Sequence, residues 1–278
     1  MAASSQLGAF TLDDFEARSG SATSIIRTIA GLYIRHESTP VARGKVLDLA
    51  GAAGVSAPAA QTAVSRLIDK SILENTDESR LQVPEAAQAM FARGNRRIFT
   101  PRQMRDEDQW CLAAYSLPES MRPVRHQLRK HFGQLGGGLA AAGLWIFPAY
   151  LHEEVLQILT ALQVRAHATV FIAQTPDFPS TPAEAARAWW DLDRLEALHH
   201  SFLTHAEQLP EADTDEMAYR NYVLMIDAWR TLPYLDPGLP PMMLPEHWPG
   251  TTSRRRFAEL SEALEHRASH FANQLLHT

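Results

Sequence analysis

Apolar positions in the N-terminal part of the chain recur at spacings of three and four residues, which is the period of an amphipathic helix. The stretch SIIRTIAGLYIRHE shows this pattern at Ile25, Ile26, Ile29, Leu32 and Tyr33. A second helix is predicted over about residues 43–52, ending at Gly54, and Ser56 can cap a third. SILEN and RLQV, joined by the polar turn TDES, then predict a two-stranded ribbon.

Three helices followed by a ribbon is the order of a winged helix-turn-helix, whose third helix enters the major groove of DNA. In SAPAAQTAVSRLIDKSIL, Ala60, Val64 and Leu67 share one side of that helix. Taken alone, the polar side is more often solvated surface than a reading surface, but arginine pairs with guanine and glutamine with adenine. In this context we predict DNA-binding residues at Ser56, Gln61, Thr62, Ser65 and Arg66, with phosphate contacts from Lys70, Arg80, Arg27 and Arg35.

The pattern changes at Trp110. Strand, helix, two strands (the first near Leu139), helix and strand follow one another, which predicts a β-α-β-β-α-β ferredoxin-like middle domain over residues 106–176. Residues 86–105 hold five arginines and no acidic residue, and this composition predicts a junction.

From Pro182 onward the periodicity is helical, interrupted by PYLDPGLPPMMLPEHWPG, whose prolines prevent a helix. The fold class is therefore α+β, in four segments. We predict an N-terminal arm (1–22), a winged helix-turn-helix DNA-binding domain (23–98), the ferredoxin-like domain (106–176) and a helical C-terminal domain (180–278).

Charge is distributed unevenly along the chain. Residues 20–105 carry 12 Lys/Arg and 7 Asp/Glu, a net of +5, whereas residues 177–278 carry 8 and 16, a net of −8. A basic head beside an acidic body favours a phosphate-binding head. The N-terminus has no apolar signal core and the chain has a single cysteine, so we expect a cytoplasmic protein without disulfides or a membrane span.

Three other groups of residues are candidates for chemistry. Cys111 lies in an apolar strand, where a thiol is inert, and no nucleophile elbow or P-loop accompanies it, so we predict neither an enzyme nor a cofactor. Glu196, His200 and His205 could be metal ligands, but without a thiolate their spacing favours ordinary surface or core histidines, and no metal is expected. The basic helix face of Arg122, Arg125, Arg129 and Lys130 is interpreted as solvated surface, with phosphate contact or a partner subunit as alternatives.

Together the stretches TIAGLYIR, GVSAPAAQTAVSRLIDKSIL, WCLAAYSLPESMRPVRHQLR, GLWIFP, WDLDRLEAL and WRTLPYLDPGLPPMMLPEHWPG resemble the PaaX-type transcriptional repressors. The last stretch is the most specific, with Asp236, Pro237, Leu239, Pro240, Pro245 and Trp248 on its loop signature. The resemblance implies a homodimeric repressor of aromatic catabolism with a middle domain similar to the CRISPR-associated ferredoxin-like nucleases. It also implies binding to palindromic operators and release by an aryl-CoA thioester such as phenylacetyl-CoA.

An aromatic cluster in the helical C-terminal part favours core packing but could also wall an apolar ligand pocket. The candidate effector-binding residues are Trp190, His199, Tyr222, Trp229, Arg230 and Asp236. Gln61 replaces an arginine and His199 a tyrosine common in the family, so operator and effector can differ from those of the founding members. The alternatives are the same fold answering another aromatic or xenobiotic ligand, a metal-dependent enzyme on the histidine-bearing helices, and an interaction module without DNA reading.

Overall fold

A computed structural model describes Phe15 and residues 17–77, 79–174, 176–178 and 180–278. Most of the predicted N-terminal arm, residue 78 of the predicted turn, and residue 175 of the predicted middle domain lie outside the described residues. The fold is a mixture of helices and two antiparallel sheets. No described helix combines the length and the apolar character that a membrane crossing requires.

The helices follow one another in the order α1 (Ala22–Leu32), α2 (Arg43–Ala52), α3 (Ala57–Asp69), α4 (Glu85–Phe99), α5 (Arg122–Gln134), α6 (His152–Ala161), α7 (Pro182–Trp189), α8 (Leu192–Glu207), α9 (Asp215–Trp229), α10 (Leu232–Leu235) and α11 (Pro249–His277). The strands are β1 (Val41–Ala42), β2 (Glu74–Asn75), β3 (Arg80–Gln82), β4 (Trp110–Tyr115), β5 (Gly138–Ala141), β6 (Leu144–Pro148) and β7 (Ala168–Ala173).

The described chain forms two compact units, and each unit is built from segments that are not consecutive in the sequence. One contains Arg96–His200 and Leu232–Thr251. The other contains the N-terminal helices up to Asn95, Ser201–Thr231 and Thr252–Thr278. The predicted C-terminal segment 180–278 therefore contributes to both units, because α9 packs against α1 instead of against the other C-terminal helices alone.

The first unit is built on a four-stranded sheet in the order β5-β6-β4-β7, with every neighbouring pair antiparallel. Together with α5 and α6 this is the β-α-β-β-α-β order of a ferredoxin-like sandwich, so the prediction for the middle of the chain is confirmed. One sheet face packs Trp145 and Phe147 against Phe132 of α5, with ring centroids 5.6 and 5.1 Å apart. The opposite face carries Trp110 and Ile146, which are buried with residues of α7, α8 and the proline-rich loop.

The proline-rich loop contains only short helical turns between Leu232 and Met243. Its prolines limit it to a one-turn helix, α10, and a 3-10 turn at Pro241–Met243, so the prediction of no helix at all was wrong at Leu232–Leu235. Within the first unit, hydrogen bonds to carbonyls of the loop hold it in place, since Met104 N donates to the Gly238 carbonyl at 2.8 Å and the Tyr150 hydroxyl donates to the Pro237 carbonyl.

The second unit contains α1, α2 and α3 and a small sheet in the order β1-β3-β2. The predicted helices and ribbon strands are confirmed as elements, and strand β1 was not predicted. Gly54 ends α2 with φ +90°, and Val55 N donates to the Ala50 carbonyl at 2.9 Å, which is a Schellman ending. This turn fixes the direction in which α3 leaves α2.

The boundary between the two units, at Asn95 and Arg96, falls inside the junction predicted over residues 86–105, but it lies within a helix, because α4 occupies Glu85–Phe99. Its apolar residues Ala87, Met90, Phe91 and Ile98 are buried at helical spacing. Three of the five arginines that suggested the junction, Arg93, Arg96 and Arg97, lie on the same helix as this apolar stripe, which is the arrangement of an amphipathic helix.

Candidate nucleic-acid interface and the predicted effector residues

Helix α3 separates its side chains as the sequence predicts. Ala60, Ala63, Val64 and Leu67 are at most 1% exposed and form its inner side. Gln61, Thr62, Ser65 and Arg66 are all exposed on the outer side, as is Lys70 at the helix end. Four potential base contacts therefore share one surface of a helix whose opposite surface is fixed in a core.

The hydroxyls on this outer face are already used within the helix. Thr62 Oγ1 donates to the Pro58 carbonyl at 3.1 Å, and Ser65 Oγ donates to the Gln61 carbonyl at 3.3 Å. Such bonds to the preceding turn leave the oxygen lone pairs as acceptors. In this state the threonine and serine can accept hydrogen bonds, while Gln61 and Arg66 offer donors.

Ser56 is the N-cap residue of α3 and is exposed, but its side chain makes no capping hydrogen bond. The predicted capping bond is therefore absent, and Pro58 in the first turn removes one N–H that a cap would otherwise satisfy. The exposed hydroxyl of Ser56 lies at the helix end that a recognition helix points toward base edges.

The phosphate contacts predicted outside α3 fall into different environments. Arg80 lies exposed on β3 and its Nη1 donates to the Pro40 carbonyl at 3.2 Å, which anchors the ribbon. Arg35 is half-buried, burial lowers its pKa, and its Nε donates to His36 Nε2 at 3.0 Å. Arg27 is only 5% exposed, with its guanidinium 5.2 Å from the Phe91 ring centroid. Its interior position does not leave it open to a phosphate, contrary to the prediction.

The turn between the ribbon strands is shaped by Asp77. Its Oδ1 accepts hydrogen bonds from the backbone N of Ser79 at 2.8 Å and from the Ser79 hydroxyl at 2.9 Å. These bonds from Ser79 lower the pKa of the Asp77 carboxyl. An ionised aspartate holding its own turn is a common way to fix a short loop.

Arg18 lies beside the outer side of α3, and sequence reasoning missed it because it belongs to the segment treated as a polar arm. A groove of about 590 Å³ beside α3 is lined by Arg18, Thr62, Arg66, Asp69 and Lys70, among others. Three basic side chains and one acidic one therefore surround it. The excess of basic over acidic residues in the N-terminal part of the sequence was the signal that could have drawn attention to Arg18.

The six predicted effector residues lie in the interiors of the two units, three in each. In the first unit, Trp190 Nε1 donates to the Gly136 carbonyl at 2.9 Å. His199 Nε2 and Asp236 Oδ2 are 2.9 Å apart, with both side chains at most 3% exposed. Asp236 Oδ1 also accepts from Gly238 N at 2.8 Å. These contacts fasten the proline-rich loop.

In the second unit, Trp229 stacks on Phe257 with ring centroids 4.8 Å apart. Tyr222 is buried, and this burial, more than the nearby Glu265, raises its pKa. Arg230 pairs with Asp227 and donates to Ser24 Oγ at 2.8 Å. Each of the six side chains is therefore engaged in packing or hydrogen bonding within its own unit, and their role toward an effector stays a prediction.

A metal site or an activated nucleophile finds little support in the geometry. Among the described residues no group of three or more His, Cys, Asp or Glu side chains could hold a metal ion. His200 Nε2 lies 3.8 Å from Glu196 Oε1, which is a surface pair. Cys111 is fully buried, and burial raises the pKa of its thiol to about 12.

Comparison with known proteins adds independent information. Residues 103–185 match the family model of the PaaX protein central Cas2-like domain, and residues 190–274 match that of the PaaX-like protein C-terminal domain. Together the two matches span more than half of the chain.

The chain is 25% identical over 264 residues to the transcriptional repressor PaaX of Escherichia coli (strain K12), covering 90% of this chain and 83% of that protein. An uncharacterized protein from Mycobacterium tuberculosis has a similar structure, with a TM-score of 0.58 and 19% identity, over 90% of this chain and 97% of that one. At that identity the structural likeness concerns the fold alone.

Proposed function

Because the chain belongs to the PaaX family, we propose that it is a transcriptional repressor that binds operator DNA through the exposed side of α3. The family is one of transcriptional repressors and not of enzymes. We further propose that the N-terminal helices and the ribbon β2–β3 act as a winged helix-turn-helix, with α3 in the major groove and the ribbon beside the flanking backbone.

The observation that carries the proposal is the outer side of α3. Gln61, Thr62, Ser65 and Arg66 are exposed together, while the inner side of the same helix is buried. Arginine and glutamine are the side chains that pair bidentately with guanine and adenine. Lys70, Arg80 and Arg18 supply positive charge for the phosphates around that face.

A homodimer is part of the proposal, because one small head makes too few phosphate contacts for tight binding at cellular salt. Two heads related by a two-fold axis read a palindromic operator whose half-sites are about one or two helical turns apart.

An aromatic effector, with an aryl-CoA thioester such as phenylacetyl-CoA as the first candidate, releases the repressor in this proposal. Release requires that the effector bind one conformation better than the DNA-binding one, since equal affinity for both shifts nothing. The six candidate residues are packed in the interior, so an effector that contacts them has to open that packing.

The test of DNA binding is a gel-shift titration with the region upstream of the protein's own gene, against an unrelated duplex of equal length. Arg66→Ala should weaken specific binding by roughly 1–3 kcal/mol if Arg66 reads a base. Arg187→Ala is the matched control, because Arg187 is an exposed helical arginine of α7 and the charge change is identical. Equal losses in both variants, or no shift by the wild-type protein, would contradict the proposal.

The test of the effector uses the same complex. Phenylacetyl-CoA, phenylacetate and coenzyme A are added to the preformed protein–DNA complex, and binding to the free protein is measured by calorimetry. Release by the thioester alone supports an aryl-CoA effector. Release by the free acid, or by none of the three compounds, assigns the regulator to a different ligand.

A further inference from the structure

The basic side of α5 forms a groove in the first unit that the proposed function does not use. It has a volume of about 580 Å³ and is lined by Arg122, Arg125, His126, Arg129, Lys130 and Trp145. This volume lies within the roughly 300–1,000 Å³ typical of small-molecule sites. None of these lining residues is acidic.

Two of the groove's arginines share one carboxylate as a partner. Glu119, beside the start of α5, lies 3.0 Å from Arg125 Nη2 and 4.0 Å from Arg122 Nε. Arg125 is further committed to the structure, since its Nη2 also donates to the Leu117 carbonyl at 3.2 Å. Glu119 is therefore shared by the two arginines at this end, while Arg129 lies two turns beyond Arg122 on the same helix.

The floor of the groove supplies a second, independent observation. Trp145 is 6% exposed and lines the groove, and its indole Nε1 is buried without a hydrogen-bond partner among the described residues. An indole N–H is only a donor, so its partner must bring an acceptor oxygen. A buried donor without a partner carries a desolvation cost, and a ligand oxygen removes it only where the side chains over Trp145 move apart.

The spacing of the arginines indicates the size of the ligand. Arg122 and Arg129 are seven residues apart, which corresponds to about 10 Å along a helix. That is longer than one phosphate group, and arginine is the side chain best suited to bind phosphate oxygens in pairs. His131 adds no charge near neutral pH, because burial and then Lys130 lower its pKa.

From these observations we infer that the α5 groove binds a small molecule carrying two or more phosphate groups, held by Arg122 and Arg129 over Trp145. The concave shape favours a small molecule over the backbone of a DNA duplex. This inference is independent of the proposed DNA-binding face, which belongs to other residues.

In the test, the full-length protein is titrated with inorganic pyrophosphate and with adenosine 5′-diphosphate, and binding is measured by calorimetry. The wild-type protein should show saturable binding with one ligand per chain. The double variant Arg122→Gln/Arg129→Gln should lose at least about tenfold in affinity, and Trp145→Phe several-fold. Both substituted arginines are exposed, so the double variant should fold normally, and its unfolding midpoint is checked beside the titration.

The matched control is Arg255→Gln/Arg256→Gln, which removes an exposed and a half-buried arginine from α11, both paired with Glu259, and leaves the groove intact. It should bind as the wild type does. An equal loss in the control, or no saturable binding of either compound, overturns the inference. So does an outcome in which the groove variant loses affinity only for a duplex of random sequence, because the groove would then contact DNA.

Discussion

Asp227 in the last turn of α9 and Arg230, the C-cap residue of that helix, form an ion pair in the interior, with Oδ1 and Nε 3.4 Å apart and both side chains 1% exposed. The same carboxylate accepts hydrogen bonds from Thr28 Oγ1 at 3.1 Å and from Gly20 N at 2.7 Å. Ser24 Oγ also donates to it at 2.5 Å. One buried carboxylate therefore connects α9 to the start of α1, on which the proposed DNA-binding head is built.

Asp227→Asn should destabilise the protein by about 3–5 kcal/mol, because it leaves the Arg230 guanidinium buried without its counter-charge. The measurement is urea unfolding followed by tryptophan fluorescence. Asp215→Asn is the matched control on the same helix, since Asp215 pairs with Arg267 at 2.8 Å but at the surface. It should cost far less. Comparable losses in the two variants would mean that the buried network contributes little.

The packing around Gly138 leaves no room for a side chain. A Cβ built there would lie 2.6 Å from Cε2 of Trp190, which is itself tied to the Gly136 carbonyl. Gly138→Ala should therefore destabilise by about 1–3 kcal/mol, the usual cost of overpacking.

Gly133→Ala on α5 is the control for that substitution, because a methyl group at Gly133 would have no neighbouring atom within 4 Å. It should leave stability unchanged or raise it by up to about 1 kcal/mol, as alanine favours a helix over glycine. Thermal unfolding of both variants in parallel is the measurement. Equal stability of the two would exclude a steric role for Trp190 at Gly138.

Local patterns in the sequence predicted the elements well, and α3 shows why. Ala60, Val64 and Leu67 follow the helical period, and all three are buried in the structure. The same rule was available for α4, whose Met90 and Phe91 are buried, but the arginine-rich composition was given more weight than the period. Composition predicts solvent contact on average, whereas period predicts which side of an element is inside.

The sequence alone could not predict which charged residues are buried. Arg27 and Arg230 were predicted to meet phosphates and an effector, because arginine is rarely buried unless it is paired. Arg230 is buried against Asp227 and Ser24, and the serine lies 206 positions earlier in the chain. A contact between α1 and α9 has no local signature, so only the three-dimensional arrangement reveals it. The grooves beside α3 and α5 were missed as concave surfaces for the same reason.

Cys111 should be nearly unreactive in the folded protein. Burial raises the pKa of its thiol to about 12, so almost no thiolate is present at pH 8, and the side chain is fully enclosed. We expect reaction with an aromatic disulfide reagent to be at least about a hundredfold slower than in urea. As a control, Thr169→Cys in a Cys111→Ser background places a thiol at an exposed position of β7 and should react at once. Rapid reaction of native Cys111 would show that the strand opens readily.

Arg18 should contribute to DNA affinity through charge and not through sequence reading. It lines the groove beside α3 together with Arg66 and Lys70, where a phosphate would approach. Arg18→Ala should therefore weaken binding to specific and unrelated duplexes by the same factor. It should also lower the slope of log K against log salt by about 0.9 for each phosphate that the variant no longer neutralises. Fluorescence anisotropy at several salt concentrations measures both quantities.

Asp69→Asn is the opposite test at that groove, because it removes the acidic side chain that lines it. It should strengthen binding to both duplexes, most at low salt, where charges are least screened. Arg187→Ala should change neither slope nor affinity, since Arg187 lies on α7 in the other unit. If Arg18→Ala weakens only the specific complex, Arg18 reads a base or shapes α3, and a backbone contact is excluded. If it changes neither complex, the bound DNA does not reach Arg18, and the phosphate contacts of the head are left to Lys70 and Arg80.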